Sequence, residues 1–562
     1  MKAPIPSCAI ILTLSLGAVN VVYADSAAWN ANPVDNNWSN PANWTPNTVP
    51  NGPTDTATFG VSDITDVNVI HKIELDAMIF QAGASPYTFS ISGLNNGFTF
   101  SGSGLINNSG QVQALVLPNF EDHLSFRNSA TAGNQTTING GGGTLGGISF
   151  HNNSSAGSCT FTLAHCVIDF YDNSTAGDGV FIAGGFDQAP GTVDEIIFHD
   201  ESSAGNGYFV LNGATSFYLD NSGFVDIEDN ATADNATFIN MPASVAGAGR
   251  GSTTIYGSGG NGTFVATGSS VPGAAAGSVA MFGGDEGSGS YTASGGTNGG
   301  DGGSLSCSPL ANGGTARFIV SGNGYLSLGA GLTIGSLEGD GLVLLGGSTL
   351  ITGSNDLSTT FSGVIQDTGE LTKIGNGTLT LSGANTYTGG TTVTAGALKV
   401  SNASGSGTGT GAVQVSAGTL GGSGIIAGAA TIGTGIGAGA FLAPAAGTNV
   451  PATLTIQSAL TFNADATYTY TFKKNRNGTR TDQVIASGVT INSGAMIALS
   501  GHTSTALRQG RVLTLISNTS VNPISGTFGN LPDGGIVTVN GNNLQASYSG
   551  GDGNDLTLTV VP

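Results

Sequence analysis

The sequence predicts an all-β protein whose body is a right-handed parallel β-helix with a cap at each end. Short strands with apolar residues two positions apart fill residues 361–400, and turn signals separate them. A degenerate repeat also recurs between residues 120 and 240. The composition suits many short strands and turns, with 93 Gly, 39% hydrophobic residues and only 9% charged residues. A disordered chain would hold fewer aliphatic residues and more charge.

In residues 361–400 the apolar side chains occupy alternate positions of very short segments, with Gly- and Asn-containing turns between them. Three strands and three turns in about twenty residues make one coil of a β-helix, whose rungs stack by strand pairing. The alternation predicts that the apolar members point into the solenoid. These residues are Leu379, Leu381, Val393, Leu398 and Val400.

The repeat in residues 120–240 carries one apolar anchor in each copy. Successive anchors lie 24, 20, 28 and 29 residues apart, which is rung spacing with variable loops. Because side chains alternate along a strand, the anchors should face inward, and successive Phe rings should stack as an internal ladder. Asn or Asp followed by Ala-Gly then makes the turn. The anchors are Phe126, Phe150, Phe170, Phe198 and Ile227.

The position after each anchor faces outward by the same alternation. It is Arg127, His151, Tyr171 and His199 in successive copies, so its chemistry varies. This variation disfavours a catalytic triad in the string His199-Asp200-Glu201-Ser202. If the position faces solvent, His199→Ala should change the free energy of unfolding by less than about 0.5 kcal/mol.

The N-terminus predicts an exported protein. Lys2 precedes an apolar run at residues 9–22, and Ala24 offers a small residue for cleavage before Asp25. No later segment is long and apolar enough to be a transmembrane helix of the mature chain. We expect cleavage after Ala24, transit through the periplasm, and a cell-surface location associated with the outer membrane, or release outside the cell.

The mature chain is strongly acidic. The sequence has 13 Lys and Arg against 35 Asp and Glu. The signal peptide removes one Lys and no acid, which leaves 12 basic and 35 acidic residues, a net charge of −23. No Lys or Arg occurs from Asn128 to Gly249. Nucleic acid is therefore disfavoured as a partner, because it is bound by clustered basic side chains.

Residues 361–400, FSGVIQDTGELTKIGNGTLTLSGANTYTGGTTVTAGALKV, resemble the autotransporter-associated β-strand repeat over nearly their whole length. The resemblance begins at Leu337, and residues 524–561 are similar to the distal end of autotransporter passengers. It implies the β-helical passenger of an exported bacterial surface protein. In that family a C-terminal β-barrel follows, and these 562 residues are not expected to contain one. A separate outer-membrane or sorting partner is therefore left open.

The chain is expected to divide into six segments. Trp29, Trp38 and Trp44 favour an aromatic plug over the first rung, since solenoid ends need caps, and sugar stacking by exposed Trp is the alternative. The Gly/Ser-rich stretch 283–306 suggests a flexible excursion. The segments are a signal peptide (1–24), a Trp-containing cap with first rungs (25–119), repeat rungs (120–240), Gly/Ser-rich irregular rungs (241–336), autotransporter-repeat rungs (337–451) and a passenger-type C-terminal cap (452–562).

Two charged groups are candidates for ligand binding. Asp552 and Asp555 lie in a Gly-rich string similar to a calcium-binding nonapeptide, but Thr557 replaces its large apolar residue and one copy stands alone. The sequence therefore predicts no metal and no cofactor. A basic cluster surrounds a predicted hairpin turn at 477–478 and is a candidate contact for an anionic glycan. Its members are Lys473, Lys474, Arg476 and Arg480.

Three cysteines remain after cleavage, an odd number that does not form a disulfide framework. Cys159 and Cys166 either form a local bridge or are buried free thiols, and Cys307 is left over. The sequence leaves both alternatives open.

Catalysis of the kinds found on β-helices is disfavoured. Lyase sites of the pectate-lyase type need Lys or Arg to abstract a proton and stabilise the enolate, and residues 128–249 contain neither. Acidic pairs suited to glycoside hydrolysis recur at rung spacing, yet the repeat accounts for most of them as turn residues. The pairs are Asp169 and Asp172, Asp194 and Glu195, and Asp200 and Glu201.

We therefore expect an exported, non-catalytic protein with a structural or adhesive role at the cell surface or outside the cell. Its expected partners are cell-surface glycans or other surface proteins. The alternative is a secreted polysaccharide-active enzyme, a glycoside hydrolase or lyase on the same scaffold, because a fold does not decide a function.

Overall fold

Successive coils of the chain lay their strands side by side and in parallel. The computed structural model describes residues 25–93, 95–118, 121–141, 147–185, 194–216, 222–437, 439–445, 450–475, 478–503 and 505–562. The predicted signal peptide 1–24 and Arg476 of the basic cluster lie outside these residues. In the described part, helical structure is confined to one 3-10 turn at Pro41–Asn43, and no helix reaches the length and hydropathy of a membrane span.

A first sheet of 16 strands follows one side of the solenoid as far as residue 366. Neighbouring strands are parallel except at the N-terminal end, where the first two form an antiparallel pair. In spatial order the strands are Trp44–Thr45, Ala27–Trp29, Thr56–Phe59, Lys72–Phe80, Gly97–Asn107, His123–Phe126, Gly147–Phe150, Val167–Phe170, Asp194–Phe198, Gly223–Ile227, Ser252–Ile255, Ser278–Met281, Ser304–Cys307, Tyr325–Leu328, Leu342–Leu344 and Val364–Gln366.

A second sheet begins as one column of parallel strands. It divides at Leu332–Gly339, which pairs with both Thr349–Thr352 and Thr359–Phe361. The column up to the division comprises Asp66–Val69, Thr88–Ile91, Gln113–Leu117, Asn134–Gly141, Ser158–Ala164, Val180–Ala183, Tyr208–Leu211, Thr237–Asn240, Thr263–Ala266, Ser290–Ala293, Gly313–Val320 and Leu332–Gly339.

Beyond the division each coil contributes one strand to each of two columns. The first continues through Thr349–Thr352, Glu370–Lys373, Thr391–Val393, Val413–Val415, Ala430–Ile432, Leu460–Phe462 and Val489–Ile491. The second continues through Thr359–Phe361, Thr378–Leu381, Ala397–Val400, Gly418–Gly422, Ala440–Ala443, Ala466–Asn475 and Met496–Thr503, with Gly478–Thr481 folded back on Ala466–Asn475.

A third sheet of seven strands leads into the C-terminal end. Its first pairs are parallel, so coiling continues well past residue 452, and pairing becomes antiparallel at the last four strands. In spatial order the strands are Ile425–Ile426, Thr453–Ile456, Gln483–Ala486, Val512–Asn518, Asp555–Val561, Asn542–Gly550 and Ile536–Val539. The predicted fold class, an all-β parallel β-helix, is confirmed.

The interior of the solenoid is built by strict alternation along each strand. In Val167–Phe170 the side chains of Ile168 and Phe170 are fully buried, and those of Val167 and Asp169 are partly exposed. The apolar residues of 361–400 follow the same rule: Leu379 pairs with Leu398, Leu381 pairs with Val400, and all four are buried, as is Val393.

The three tryptophans form a plug at the N-terminal end. Trp38 and Trp44 are fully buried and Trp29 is 4% exposed. The ring centroids of Trp29 and Trp44 are 5.1 Å apart, and those of Trp38 and Trp44 are 4.8 Å apart, both edge to face. These rings present no open face to a sugar, so the sugar-stacking alternative is wrong.

The Gly/Ser-rich stretch 283–306 forms ordinary rungs, which corrects the expectation of a flexible excursion. Its strand Ser290–Ala293 pairs in register with Thr263–Ala266 on one side and Gly313–Val320 on the other. Glycine is needed here because rungs approach closely: a Cβ at Gly303 would lie 2.0 Å from the Ala266 carbonyl oxygen. Its glycines therefore serve packing between rungs, and the stretch is part of the core.

Candidate functional site: an outward row of aromatic and acidic side chains

The buried anchors determine where the side chains of the candidate site lie. Ring centroids of Phe126, Phe150, Phe170 and Phe198 follow one another at 4.8, 4.7 and 4.7 Å, nearly parallel, and Ile227 continues the column in register. All five side chains are fully buried. This internal stack fixes the register of the strands, and with it the position of the residue that follows each anchor.

A second internal ladder lies on the opposite sheet and was missed in the sequence. Its successive ring centroids are 4.6–5.0 Å apart. The signal that would have found it is an aromatic residue eleven positions after the anchor in four consecutive copies. The ladder consists of Phe161, Phe181, Phe209, Phe238, Phe264, Tyr291 and Phe318.

The residues after the anchors form one continuous line, which we call the outward row. Each backbone N–H of the row donates, at 2.8–2.9 Å, to a carbonyl one rung earlier. That carbonyl belongs to an anchor or to the residue in the equivalent position, which is Phe100, Ile255 or Met281. These bonds stack the row members directly above one another over eight rungs. In order, the outward row is Arg127, His151, Tyr171, His199, Glu228, Tyr256, Phe282 and Ser308.

Three rings of the outward row form a stack. The His151 and Tyr171 ring centroids are 4.9 Å apart and those of Tyr171 and His199 are 4.6 Å apart, with nearly parallel planes. All three side chains are partly buried, and burial is the main cause that lowers the pKa of His151 and raises the pKa of Tyr171. This part of the row is a continuous ribbon of stacked, partly exposed rings.

His199 joins the ribbon to neighbouring carboxylates. Its Nε2 lies 3.2 Å from Asp169 Oδ1, and its Nδ1 lies 3.3 Å from Glu228 Oε2. The His199 side chain is only 20% exposed. The position faces outward as expected, but it is held by contacts on both ring nitrogens, so its replacement should cost more than that of a solvated side chain.

Two further carboxylates lie beside the row on the same sheet. Glu195 and Asp226 are partly buried, and burial raises the pKa of each. Nearby negative charges, with Asp226 foremost, raise the pKa of Glu195 further. With Asp169 and Glu228 these groups give the middle of the row a strongly acidic border.

The expectation that most of the predicted acids are turn residues holds for Asp172, Asp200 and Glu201 but is wrong for the other three, which lie in strands: Asp169 in Val167–Phe170, and Asp194 and Glu195 in Asp194–Phe198. Asp172 and Asp200 adopt left-handed backbone angles, with φ of 58° and 55°, a conformation that Asp and Asn tolerate best among non-glycine residues. The Asp172 carboxylate accepts from Asn152 N at 2.7 Å, and the Asp200 carboxylate accepts from Asp172 N at 2.9 Å. Asp194 is buried and accepts from the backbone N–H of His165, Cys166 and Gly184.

The residues His199-Asp200-Glu201-Ser202 do not form a catalytic triad. Glu201 is exposed, Ser202 is buried, and the two ring nitrogens of His199 face Asp169 and Glu228. The Ser202 backbone N–H donates to the His199 carbonyl oxygen at 3.0 Å, so these residues make an ordinary turn.

The basic cluster sits on a hairpin in the last third of the chain. Lys473 pairs with Arg480 across Ala466–Asn475 and Gly478–Thr481, and both side chains are exposed. Lys474 Nζ donates to the Ala506 carbonyl oxygen at 2.5 Å. Two cations of the described part of this cluster, Lys473 and Arg480, therefore face solvent side by side.

The calcium candidates Asp552 and Asp555 lie near the hairpin turn between Asn542–Gly550 and Asp555–Val561. The Asp555 carboxylate accepts from Asn518 N at 2.9 Å and thus braces the cap. In the described parts of the chain, no group of three or more His, Cys, Asp or Glu side chains could hold a metal ion.

The cysteines are free and buried. Cys159 Sγ donates to the Thr136 carbonyl oxygen at 3.2 Å, and Cys166 and Cys307 are likewise unbridged. The alternative of a Cys159–Cys166 disulfide is not borne out. Burial raises the pKa of each thiol above its ordinary range, so these groups are poor nucleophiles.

Residues 371–400 match the family model described as passenger-associated-transport-repeat. The resemblance to autotransporter passengers is thereby confirmed on the segment that predicted it. Among curated proteins, none matches the chain significantly. Among solved structures, the Haemophilus influenzae Hap adhesin is similar at 12% identity and a TM-score of 0.29, over 90% of this chain and 64% of the adhesin chain. The chain thus spans less than two thirds of that protein.

Proposed function

We propose that this chain is a surface-exposed, adhesin-type passenger that works by binding along its outer face and not by catalysis. The observation that carries the proposal is the outward row, an unbroken line of side chains over eight rungs that includes two exposed rings, Tyr256 and Phe282. A linear surface of this kind suits contact with an extended partner. The passenger-associated-transport-repeat at 371–400 supports export to the cell surface.

The hydrogen bonds of the acidic side chains also support ligand binding and not catalysis. A hydrolase needs two carboxylates that converge on one scissile bond and remain free to act. Asp172, Asp194 and Asp200 instead accept hydrogen bonds from backbone N–H groups, and Asp169 contacts His199. The partners we propose are cell-surface glycans or surface proteins.

One observation favours the alternative of a polysaccharide-active enzyme. Glu195 and Asp226 lie on the same outer face with raised pKa values, as a general acid requires. Their pKa is raised chiefly by burial beside the outward row, which the packing of the rungs explains without catalysis.

We expect intact cells that produce the protein to be labelled by antibodies against the solenoid, and beads coated with the purified protein to adhere to glycan- or protein-coated surfaces. Beads coated with denatured protein are the control, because they carry the same charge without the ordered face. Failure of the native protein to adhere to any tested surface would contradict the adhesive role.

A further inference from the structure

We propose that the Tyr256 and Phe282 end of the outward row is a platform on which a glycan chain without negative charge stacks. This inference rests on the proposed adhesive function and names the class of ligand for it. It concerns two side chains that neither the repeat nor the internal ladders require, since both point out of the solenoid.

The two rings form a fixed and open surface. Their centroids are 5.2 Å apart with planes inclined by 18°, and Tyr256 and Phe282 are 47% and 45% exposed. Strand pairing of Ile255 with Met281 holds both in register, so little freedom is lost when a ligand binds. Large exposed rings in a fixed position are the kind of side chain that supplies most of the free energy at binding surfaces.

Within the described structure, the next rung places no ring against the outer face of Phe282, which is 45% exposed. The next member of the outward row is Ser308, which has no ring, and its Oγ turns back to donate to the Phe282 carbonyl oxygen at 2.8 Å. The aromatic stack therefore stops at Phe282. A sugar ring can take the next place in the stack, because its face of C–H bonds is attracted to the negative face of an aromatic ring.

Polar groups at the other end of the pair can fix the orientation of a sugar. Glu228 and Asp226 lie one rung before Tyr256, and carboxylates accept strong hydrogen bonds from hydroxyl and ammonium groups. In the described structure the Tyr256 hydroxyl has no hydrogen bond to protein. An apolar platform beside a few polar groups is the usual composition of a ligand site.

The shape and charge of the outward row limit the class of ligand that can bind there. The outward row is one side chain wide and about 34 Å long at the usual spacing of paired strands, which fits a linear polymer lying along the solenoid. The chain carries a net charge of −22, and the carboxylates of Asp226 and Glu228 lie one rung before Tyr256. Anionic polymers are repelled by such a surface. The ligand is thus a polymer of uncharged or amino-bearing sugars.

The test is titration of the purified full chain with cello-oligosaccharides and chito-oligosaccharides (uncharged), glucosamine oligosaccharides (cationic) and alginate oligosaccharides (anionic). We expect binding of at least one of the first three, whereas any binding of alginate should use the exposed Lys473 and Arg480 and be unchanged in Phe282→Ala. Phe282→Ala and Tyr256→Ala should each weaken binding about tenfold, the scale of a typical hot-spot residue. Phe282→Trp should retain binding, since it keeps a ring in place.

Leu357→Ala is the matched control, because Leu357 is also 45% exposed but lies outside the row, and its loss should leave the affinity unchanged. The salt dependence of binding distinguishes cationic from uncharged sugars. Binding of glucosamine oligosaccharides should weaken at high ionic strength, and binding of uncharged ones should not. Circular dichroism and thermal melting establish that each variant is folded.

Unchanged affinity in folded Phe282→Ala and Tyr256→Ala proteins would overturn the proposal, as would the absence of binding by all three of the uncharged and amino-bearing oligosaccharides. Bead adherence, measured in parallel, separates this outcome from failure of the proposed function. If beads of both variants adhere as wild type does, the platform is refuted and adhesion stands.

Discussion

Phe170→Ala should destabilise the middle of the solenoid by about 3–5 kcal/mol, the usual cost of removing a buried ring. Phe170 is fully buried between Phe150 and Phe198, with ring centroids 4.7 Å away on each side. Its loss opens a cavity in the internal ladder that the neighbouring rungs cannot fill without losing register. Because solenoid rungs contact only their neighbours, the effect should stay local. Hydrogen exchange should show lost protection in Gly147–Phe150, Val167–Phe170 and Asp194–Phe198.

His199→Ala provides the comparison for an outward position. His199 directly follows Phe198, the anchor that pairs with Phe170 in the next rung. The side chain is outward but contacts Asp169, Glu228 and Tyr171, so we expect a loss of about 1 kcal/mol, more than a solvated side chain would give and well below the Phe170 value. His123→Ala, at an exposed site, should change stability by less than about 0.5 kcal/mol. A larger loss for His199→Ala than for Phe170→Ala would mean that the inward and outward positions are exchanged.

The second large effect is expected from a carboxyl group inside the core, where Glu286→Gln should stabilise the protein at alkaline pH. Glu286 is fully buried, and Tyr291 donates its hydroxyl hydrogen to Glu286 Oε2 at 2.8 Å. Oε1 is buried and, within the described structure, has no hydrogen-bond partner. Glu286 occupies a row whose earlier members are Ala132, Ala156, Ala176, Ala204, Ala233 and Gly259, linked rung to rung by backbone hydrogen bonds.

Burial raises the pKa of Glu286 from its ordinary value of 4.5 to about 8. A raised folded-state pKa means that the folded protein holds a proton that the unfolded chain has released. The contribution to stability is complete below pH 4.5, falls as the pH rises at up to about 1.4 kcal/mol per pH unit, and is lost above pH 8. Glutamine is neutral throughout, so Glu286→Gln should remove this pH dependence.

Urea unfolding of both proteins at pH 5, 7 and 9 measures the effect. The two midpoints should lie close together at pH 5, and the variant should exceed wild type increasingly at pH 7 and 9. Comparison of the two proteins isolates Glu286 from other buried acids such as Asp482, whose pKa burial raises to about 6. Parallel pH profiles would show that Glu286 does not hold its proton in the folded state.

The inward and outward faces of the strands could be predicted because alternation is a local property. Phe126, Phe150 and Phe170 follow one pattern of neighbours, and one pattern is enough to assign a face. The same reasoning assigned Leu398 and Val400 in the repeat near residue 400. These assignments need no knowledge of which rung lies beside which.

Stacking of the anchor rings follows from the repeat, but contacts between rungs outside the anchor column could not be predicted, because they depend on register across variable loops. His199 contacts Asp169, 30 residues earlier, and Glu228, 29 residues later, and unequal loops separate these rungs. The second ladder was missed for a related reason: Phe161 and Phe181 lie in strands whose flanking residues differ more than those around the anchors.

Glycine was the least informative residue in the sequence. The stretch 283–306 combines Gly and Ser in proportions typical of linkers, yet Gly289 and Gly303 are packed against carbonyl oxygens of the preceding rung. Composition alone does not distinguish a glycine that frees the chain from one that lets two backbones approach.

Binding without turnover is the central claim, and incubation of the purified full chain with uncharged, amino-bearing and anionic polysaccharides tests it most directly. Polymer length and protein-bound polymer should be measured in the same samples by size-exclusion chromatography. We expect bound polymer of unchanged length. Shortening of any polymer by the wild-type protein, abolished by Glu195→Gln or Asp169→Asn in a folded variant, would contradict the account and establish an enzyme on this scaffold.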